Sequence, residues 1–309
     1  MPESSIANTA TVEPLFGRLL TAMVTPFAAD GSVDEEATAT LARELVERGN
    51  DGLVVCGTTG EYSTMTDEEN ARVFRIVKDA VGDRAFIIAG VGSNDTSHTI
   101  HVAGLAEEVG VDGLLVVTPY YNKPTQAGLL AHFRAVADAV TTPIMLYDIP
   151  GRAGIQIEAE TLIALAEHPN IVAVKDAKAD FASATEVLSR TDLQFYSGDD
   201  GLTLPWMSVG ATGLIGVTTH VVPEQFRELI DAVVRGDLAT AQRLHQETHP
   251  VVTATMTRVP GAVAAKTILQ WQGRLATSTV RLPHVGPTEA ETARIRSDLE
   301  VSIAASSIR

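Results

Sequence analysis

Ile171-Val172-Ala173-Val174-Lys175 is a run of four apolar, mostly β-branched residues that closes on a lysine. A strand with one wet face alternates apolar and polar positions. An unbroken apolar run is instead the pattern of a strand covered on both faces, as in a parallel sheet. The flanking segments, 158–167 and 181–189, repeat their apolar residues with helical period. Helix, buried strand, helix is the unit from which the rest of the chain can be read.

Working outward, the same unit recurs. Short apolar runs lie at 19–24, 52–55, 85–89, 113–117, 143–147, 171–175, 193–196 and 213–217. Helix-like stretches follow them at 34–48, 67–81, 96–109, 126–139, 158–167, 181–189, 201–209 and 223–234. Thr66 with Glu69 three positions on, and Thr125 before Gln126, mark helix starts by capping. Eight such units predict a (β/α)₈ TIM barrel of class α/β. An open doubly wound sheet is the competing arrangement, but its first strand normally runs into a glycine-rich phosphate loop, and here it runs into Thr25-Pro26-Phe27. Beyond about residue 236 the alternation stops, and 238–248, 261–272 and 288–305 read as helices. The expected organisation is a flexible tail at 1–13, a barrel at 14–236 and a C-terminal helical appendage at 237–309.

Bulk properties narrow the function. With 39 acidic against 23 basic residues the net charge is -16, a field that repels phosphate backbones and anionic lipid headgroups, so neither nucleic acid nor a membrane is an expected partner. An anionic substrate would have to be drawn by local groups. A single cysteine, Cys56, excludes an internal disulfide and a multi-cysteine metal site. The eight histidines show no ligand spacing; His98 and His101 share a helical face, which is more often a solvated face than a metal site. No metal is expected. No apolar run reaches bilayer-spanning length and residues 1–13 lack the layout of a signal peptide, so a cytoplasmic location is expected.

Barrels of this kind place their chemistry at the C-terminal ends of the strands. Four polar clusters fall there: Cys56-Gly57-Thr58-Thr59-Gly60-Glu61, Thr118-Pro119-Tyr120-Tyr121-Asn122, Tyr147-Asp148-Ile149-Pro150-Gly151-Arg152, and Lys175. Of five lysines only Lys175 closes a buried-looking strand, where desolvation would free its amine to attack a carbonyl carbon. The plainer alternative is a lysine that reaches solvent or pairs with Asp176. Three of the five tyrosines, Tyr120, Tyr121 and Tyr147, sit on the same rim, where a phenol can pass protons as imine chemistry requires. Gly57-Thr58-Thr59-Gly60 offers backbone N–H groups and two hydroxyls to a carboxylate, although such turns are common. Arg152 could grip a second carboxylate or be a surface arginine. Asp199-Asp200 reads as a helix cap rather than a cation site.

Taken together, Gly57-Thr58-Thr59-Gly60-Glu61, the stretch Val117-Thr118-Pro119-Tyr120-Tyr121-Asn122-Lys123-Pro124, Tyr147-Asp148-Ile149-Pro150-Gly151-Arg152, Val174-Lys175-Asp176-Ala177 and Ser197-Gly198-Asp199-Asp200 carry a resemblance. From about Arg18 onward the chain resembles the dihydrodipicolinate synthase/N-acetylneuraminate lyase family, and the synthase branch within it. The resemblance implies that pyruvate forms an imine and then an enamine on Lys175, with no cofactor beyond that covalent imine, and that the enamine attacks L-aspartate 4-semialdehyde in lysine and diaminopimelate biosynthesis. By position, Tyr147 would relay protons with Thr58 and with Tyr121, the last supplied by a neighbouring subunit. Thr58 and Thr59 would hold the pyruvate carboxylate and Arg152 that of the semialdehyde, while Gly198 and Ile215 would shape the pocket. A shared tyrosine implies an oligomer, and the family resemblance a homotetramer built as a dimer of dimers. Arg152 and the paired threonines set the chain apart from the sugar-acid lyases of the family.

Two departures from the family pattern stand out. Where many relatives carry Asn-Pro-x-Pro-x-Lys, this chain reads Val259-Pro260-Gly261-Ala262-Val263-Ala264-Ala265-Lys266, a change expected to alter packing beneath the rim without touching a catalytic position. At the positions of an inter-subunit lysine pocket it has Asp67, Asn70 and His98, with Asn94 and Tyr120 retained. With no carboxylate at 98, lysine is expected to inhibit weakly or not at all. The alternatives are another class I pyruvate aldolase, of 2-keto sugar acid or N-acetylneuraminate type, and a non-catalytic sensor of pyruvate or lysine.

Overall fold

The structure is a computed structural model that describes residues 13–307, with side chains to residue 301. Of the expected tail at 1–13, all but Glu13 lies outside the described residues. Eight parallel strands form one closed barrel: β1 (Leu19–Ala22), β2 (Gly52–Val55), β3 (Phe86–Gly90), β4 (Gly113–Val117), β5 (Ile144–Asp148), β6 (Ile171–Asp176), β7 (Gln194–Ser197) and β8 (Gly213–Gly216). Closure is made by β8 pairing with β1, Leu20 opposite Ile215. This is the (β/α)₈ barrel that the alternation predicts.

Between the strands run α1 (Glu35–Glu47), α2 (Asp67–Val81), α3 (Thr96–Val109), α4 (Gln126–Ala139), the short α5 (Pro150–Ala153), α6 (Ala159–Ala166), α7 (Phe181–Arg190), α8 (Thr203–Ser208) and α9 (Pro223–Val234). Thr66 caps α2 in a reciprocal box with Glu69, and the Thr125 hydroxyl accepts from the Gly128 amide at the start of α4. Buried aliphatic residues fill both sides of the strands. Leu53, Ile88, Leu115 and Val174 belong to one continuous core with Leu41, Phe74, Phe133 and Leu162 of the surrounding helices.

After α9 come α10 (Leu238–Met256), α11 (Gly261–Trp271) and α12 (Glu289–Ser307). α10 passes through Pro250, whereas the sequence reading ends that helix at 248. A proline inside a helix costs about 3 kcal/mol. Val251 and Val252 are buried in two different apolar clusters, with Ile268 and Ile295 on one side and Phe226 and Leu229 on the other. At about 1.5–3 kcal/mol for each buried aliphatic side chain, their packing offsets the proline. The expected helix at 201–209 is a 3₁₀ turn, Asp200–Leu202, followed by α8. α11 is buried along almost its whole length, from Ala262 to Leu269, because it lies under the barrel rim.

Candidate active site

β5 and β6 run in register, Tyr147 opposite Lys175 and Asp148 opposite Asp176. Side chains alternate across a strand, so the first pair faces the barrel interior and the second the helical layer. Asp176 is therefore turned away from its neighbour. Its Oδ1 accepts from the amides of Lys178 and Ala179 at 2.7 and 2.9 Å, which disposes of the alternative in which it pairs with Lys175. The Lys175 Nζ lies 4.4 Å from the Tyr147 ring centroid and, among the described residues, makes no hydrogen bond or ion pair. Burial pushes its pKa down to about 8; Asp200 acts the other way and Arg152 adds to the depression.

The Thr58 side chain lies beside the Tyr147 phenol, which burial raises to about 12 against the opposing influences of Arg152 and Thr58. Thr58–Gly60 is a 3₁₀ turn closed by the Gly60 amide on the Gly57 carbonyl at 3.0 Å. The Thr58 and Thr59 amides open this turn and have no acceptor within it, which leaves two N–H groups for an anion. The turn is reached through Cys56 in the left-handed region, φ 52°. That bend brings the Cys56 carbonyl against Gly90, where any Cβ would lie 2.3 Å from its oxygen. Cys56, Gly57, Thr58, Tyr62, Gly90, Gly92 and Tyr147 line one cavity at this end of the barrel. Tyr62 is the residue that sequence reasoning missed. It shares one cavity with Tyr147 and another with Tyr120, and its only signal was its place directly after Glu61.

Arg152 is exposed on α5 and makes no ion pair among the described residues, yet its charge is felt by both Lys175 and Tyr147. Gly198 donates its amide to the Asp176 carbonyl at 2.7 Å, an approach that a Cβ, 3.0 Å from the same oxygen, would obstruct. Ile215 is buried in β8. Tyr121 is not brought to the cavity. It is 89% exposed with φ 74°.

A second cavity adjoins the first and shares Tyr62. Asp67, Asn70, His98 and Tyr120 line it, while Asn94 stands outside and receives Asn122 Nδ2 on its carbonyl. His98 Nε2 lies 2.9 Å from Asp67 Oδ1, and His101 Nε2 3.7 Å from Oδ2. A further cavity, about 530 Å³, is at the opposite end of β6 and β7 around Leu15, His168 and Arg190, away from these residues.

Asp199 caps the 3₁₀ turn through the Gly201 amide, whereas Asp200 is buried and accepts from the amides of Val217 and Thr218. His220 is buried with Nδ1 on the Val217 carbonyl and Nε2 on the Val24 amide, and burial lowers it to about 4. Among the described residues no three histidine, cysteine or carboxylate side chains cluster as metal ligands. The late-helix stretch keeps its final lysine, and that lysine packs beside the site. Lys266 of α11 is buried with its Nζ 2.5 Å from Glu61 Oε1, next to the Thr58–Gly60 turn. The two residues are 205 positions apart, which is why the contact is invisible in the sequence.

A family model described as the dihydrodipicolinate synthetase family matches residues 15–302. The chain belongs to that family. It is 57% identical over 284 residues to the 4-hydroxy-tetrahydrodipicolinate synthase of Acidothermus cellulolyticus, covering 92% of each chain. Among solved structures, a dihydrodipicolinate synthase from Bacillus anthracis superposes with a TM-score of 0.89 at 43% identity, over 92% of this chain and 98% of that one. The enzyme of Cyanidioschyzon merolae, solved with lysine bound, gives 0.90 at 39% identity over 94% and 99%. No described helix is long and apolar enough to cross a membrane.

Proposed function

We propose that this lyase condenses pyruvate with L-aspartate 4-semialdehyde, the 4-hydroxy-tetrahydrodipicolinate synthase reaction, through an imine on Lys175. The observation that carries the reading is the buried Lys175 amine above Tyr147, with no carboxylate among the described residues to hold it as an ion pair and a pKa near 8. The neutral amine adds to C2 of pyruvate, and loss of water gives the imine. Removal of a C3 proton gives the enamine, whose C3 forms the new bond to the aldehyde carbon. The substrate's own amino group then attacks C2, closes the ring and releases Lys175, so that one water leaves overall and no cofactor is consumed.

The other roles follow from position. Tyr147, with Thr58 beside it, moves protons to and from the C2 oxygen and the new alkoxide, and the free amides of Thr58 and Thr59 hold the pyruvate carboxylate. Gly198 and Ile215 form the wall. Arg152, exposed and unpaired among the described residues, takes the carboxylate of the semialdehyde. The exposure of Tyr121 supports its delivery to the cavity of a neighbouring subunit, in a homotetramer of cytoplasmic enzyme. Lysine binds the second cavity weakly, because Asp67, the carboxylate in its lining, is already engaged by His98.

Steady-state pyruvate consumption with the semialdehyde and with a panel of sugar aldehydes tests the reading. Turnover with the semialdehyde that disappears in Lys175→Ala supports it. Turnover only with another aldehyde would move the chain to a different pyruvate aldolase, and none at all to a sensor.

A further inference from the structure

Behind the reactive pair, on the outer side of the barrel wall, is a polar cluster that the proposed chemistry leaves unused. Asp148 is fully buried at the end of β5. Its Oδ2 lies 3.1 Å from Lys178 Nζ and 3.2 Å from the amide of Ile157, which donates to it. Lys178 Nζ in turn donates to the Ile157 carbonyl at 2.9 Å. One ion pair thus holds both polar groups of a single backbone residue.

The position of Ile157 gives that grip its meaning. The chain leaves the barrel wall at Asp148, makes α5 with Arg152 on its exposed side and Ala153 buried beneath, and returns to the core at Ile157. The pair therefore closes the neck of the loop that carries Arg152, whose outer members Gly151, Arg152, Gly154 and Gln156 are all exposed. Gln126 fastens only the far flank, through the Gln156 carbonyl and the Glu158 amide. Lys178 is itself placed by Asp176, which accepts from its amide at 2.7 Å.

We propose that the Asp148–Lys178 pair is a positioning device for the second substrate: it fixes the loop that aims Arg152 at the substrate's carboxylate, and leaves pyruvate capture at Lys175 untouched. The proposal rests on the reading of Arg152 given above. Its electrostatics add a pH dependence. The charged groups facing Asp148 are Lys178 and Asp176, with Asp180 acting on Asp176 in turn. Burial raises Asp148 to about 6, Lys178 draws it back, and Asp176 pushes it up again. Below that value the carboxyl is neutral, the ion pair is lost and the neck loosens, so affinity for the second substrate falls as the pH drops through about 6.

The test uses the full chain with Asp148→Asn, Lys178→Met and Lys178→Arg, and Arg152→Ala as the reference for loss of the carboxylate contact. A displacement of about 1 Å at a positioning group can cost ~10²-fold, so Asp148→Asn and Lys178→Met should raise the semialdehyde KM ~10–100-fold. Borohydride trapping of the pyruvate imine and kcat/KM for pyruvate should stay close to wild type. Hydrogen exchange across 149–157 should quicken, Lys178→Arg should recover most of the KM, and Asp148→Asn should lose the acid-side rise in KM. A fall of both substrates together, or an unchanged semialdehyde KM, overturns the proposal, as does unchanged exchange at Ile157. An Arg152→Ala variant with wild-type semialdehyde KM would overturn the reading of Arg152 instead, while the exchange data would still show whether the pair holds the loop.

Discussion

Replacing Lys266 by methionine should destabilise the protein far more than loss of one ion pair at a surface would. Lys266 and Glu61 are both buried, 2.5 Å apart, and the ammonium also donates to the Thr279 carbonyl and lies 3.9 Å from the Phe27 ring centroid. Methionine keeps most of the volume but leaves Glu61 as a buried carboxylate whose remaining partner is the Arg281 amide at 2.9 Å. Removing one member of a buried pair costs about 3–5 kcal/mol, mostly the price of the stranded charge. Glu61→Gln added to Lys266→Met removes that charge and should restore at least half the loss. Urea unfolding followed by tryptophan fluorescence of wild type, both single variants and the double reads the coupling. A single-variant loss under about 1 kcal/mol, the range of an exposed pair, or a strictly additive double would refute the reasoning. Because Glu61 directly follows the Thr58–Gly60 turn, Lys266→Met should also slow pyruvate capture.

Four further outcomes are expected. Lys175→Met should stabilise the fold: the shift from 10.5 to about 8 means burial disfavours the native ammonium, by about 3 kcal/mol at most. For the wild type this cost is complete below pH 8 and fades as the pH rises from 8 toward 10.5, so the gain seen in calorimetry at pH 7 should shrink at pH 10. In the free enzyme, kcat/KM for pyruvate should climb with pH and level off above about 8, where the amine is neutral; a profile flat from pH 6 to 9 would contradict this. Tyr147→Phe should still trap pyruvate but lose turnover by ~10²–10⁴-fold, the usual worth of a placed proton donor, and lysine titrated at sub-millimolar concentration should leave activity above half.

How much of this was legible beforehand depends on the range of the interaction. Ile171–Asp176 announced itself because a strand covered on both faces needs no partner information to be recognised, and eight such runs left few topologies open. Lys175, Tyr147 and Thr58 could be nominated from strand ends alone, since the barrel's geometry sends all C-terminal ends to one rim. What the sequence did not show was tertiary. Pro250 inside α10 is tolerated only because Val251 and Val252 find separate clusters, and local propensity cannot know that. Glu61 and Lys266 meet across most of the chain, and the outward-facing Asp148 and Lys178 acquire significance only once Ile157 is seen to lie between them. Tyr121 is 89% exposed and does not line the cavity, and the resemblance assigns it to a neighbouring subunit.

The central claim is that Lys175 forms the imine, and borohydride reduction in the presence of pyruvate tests it most directly. The account predicts one stable adduct per chain, with the composition of pyruvate less one oxygen, mapped by peptide mass spectrometry to the peptide containing Lys175 and absent from Lys175→Met. An adduct on Lys123, Lys178 or Lys266, or none from a wild type that still consumes pyruvate, would contradict it.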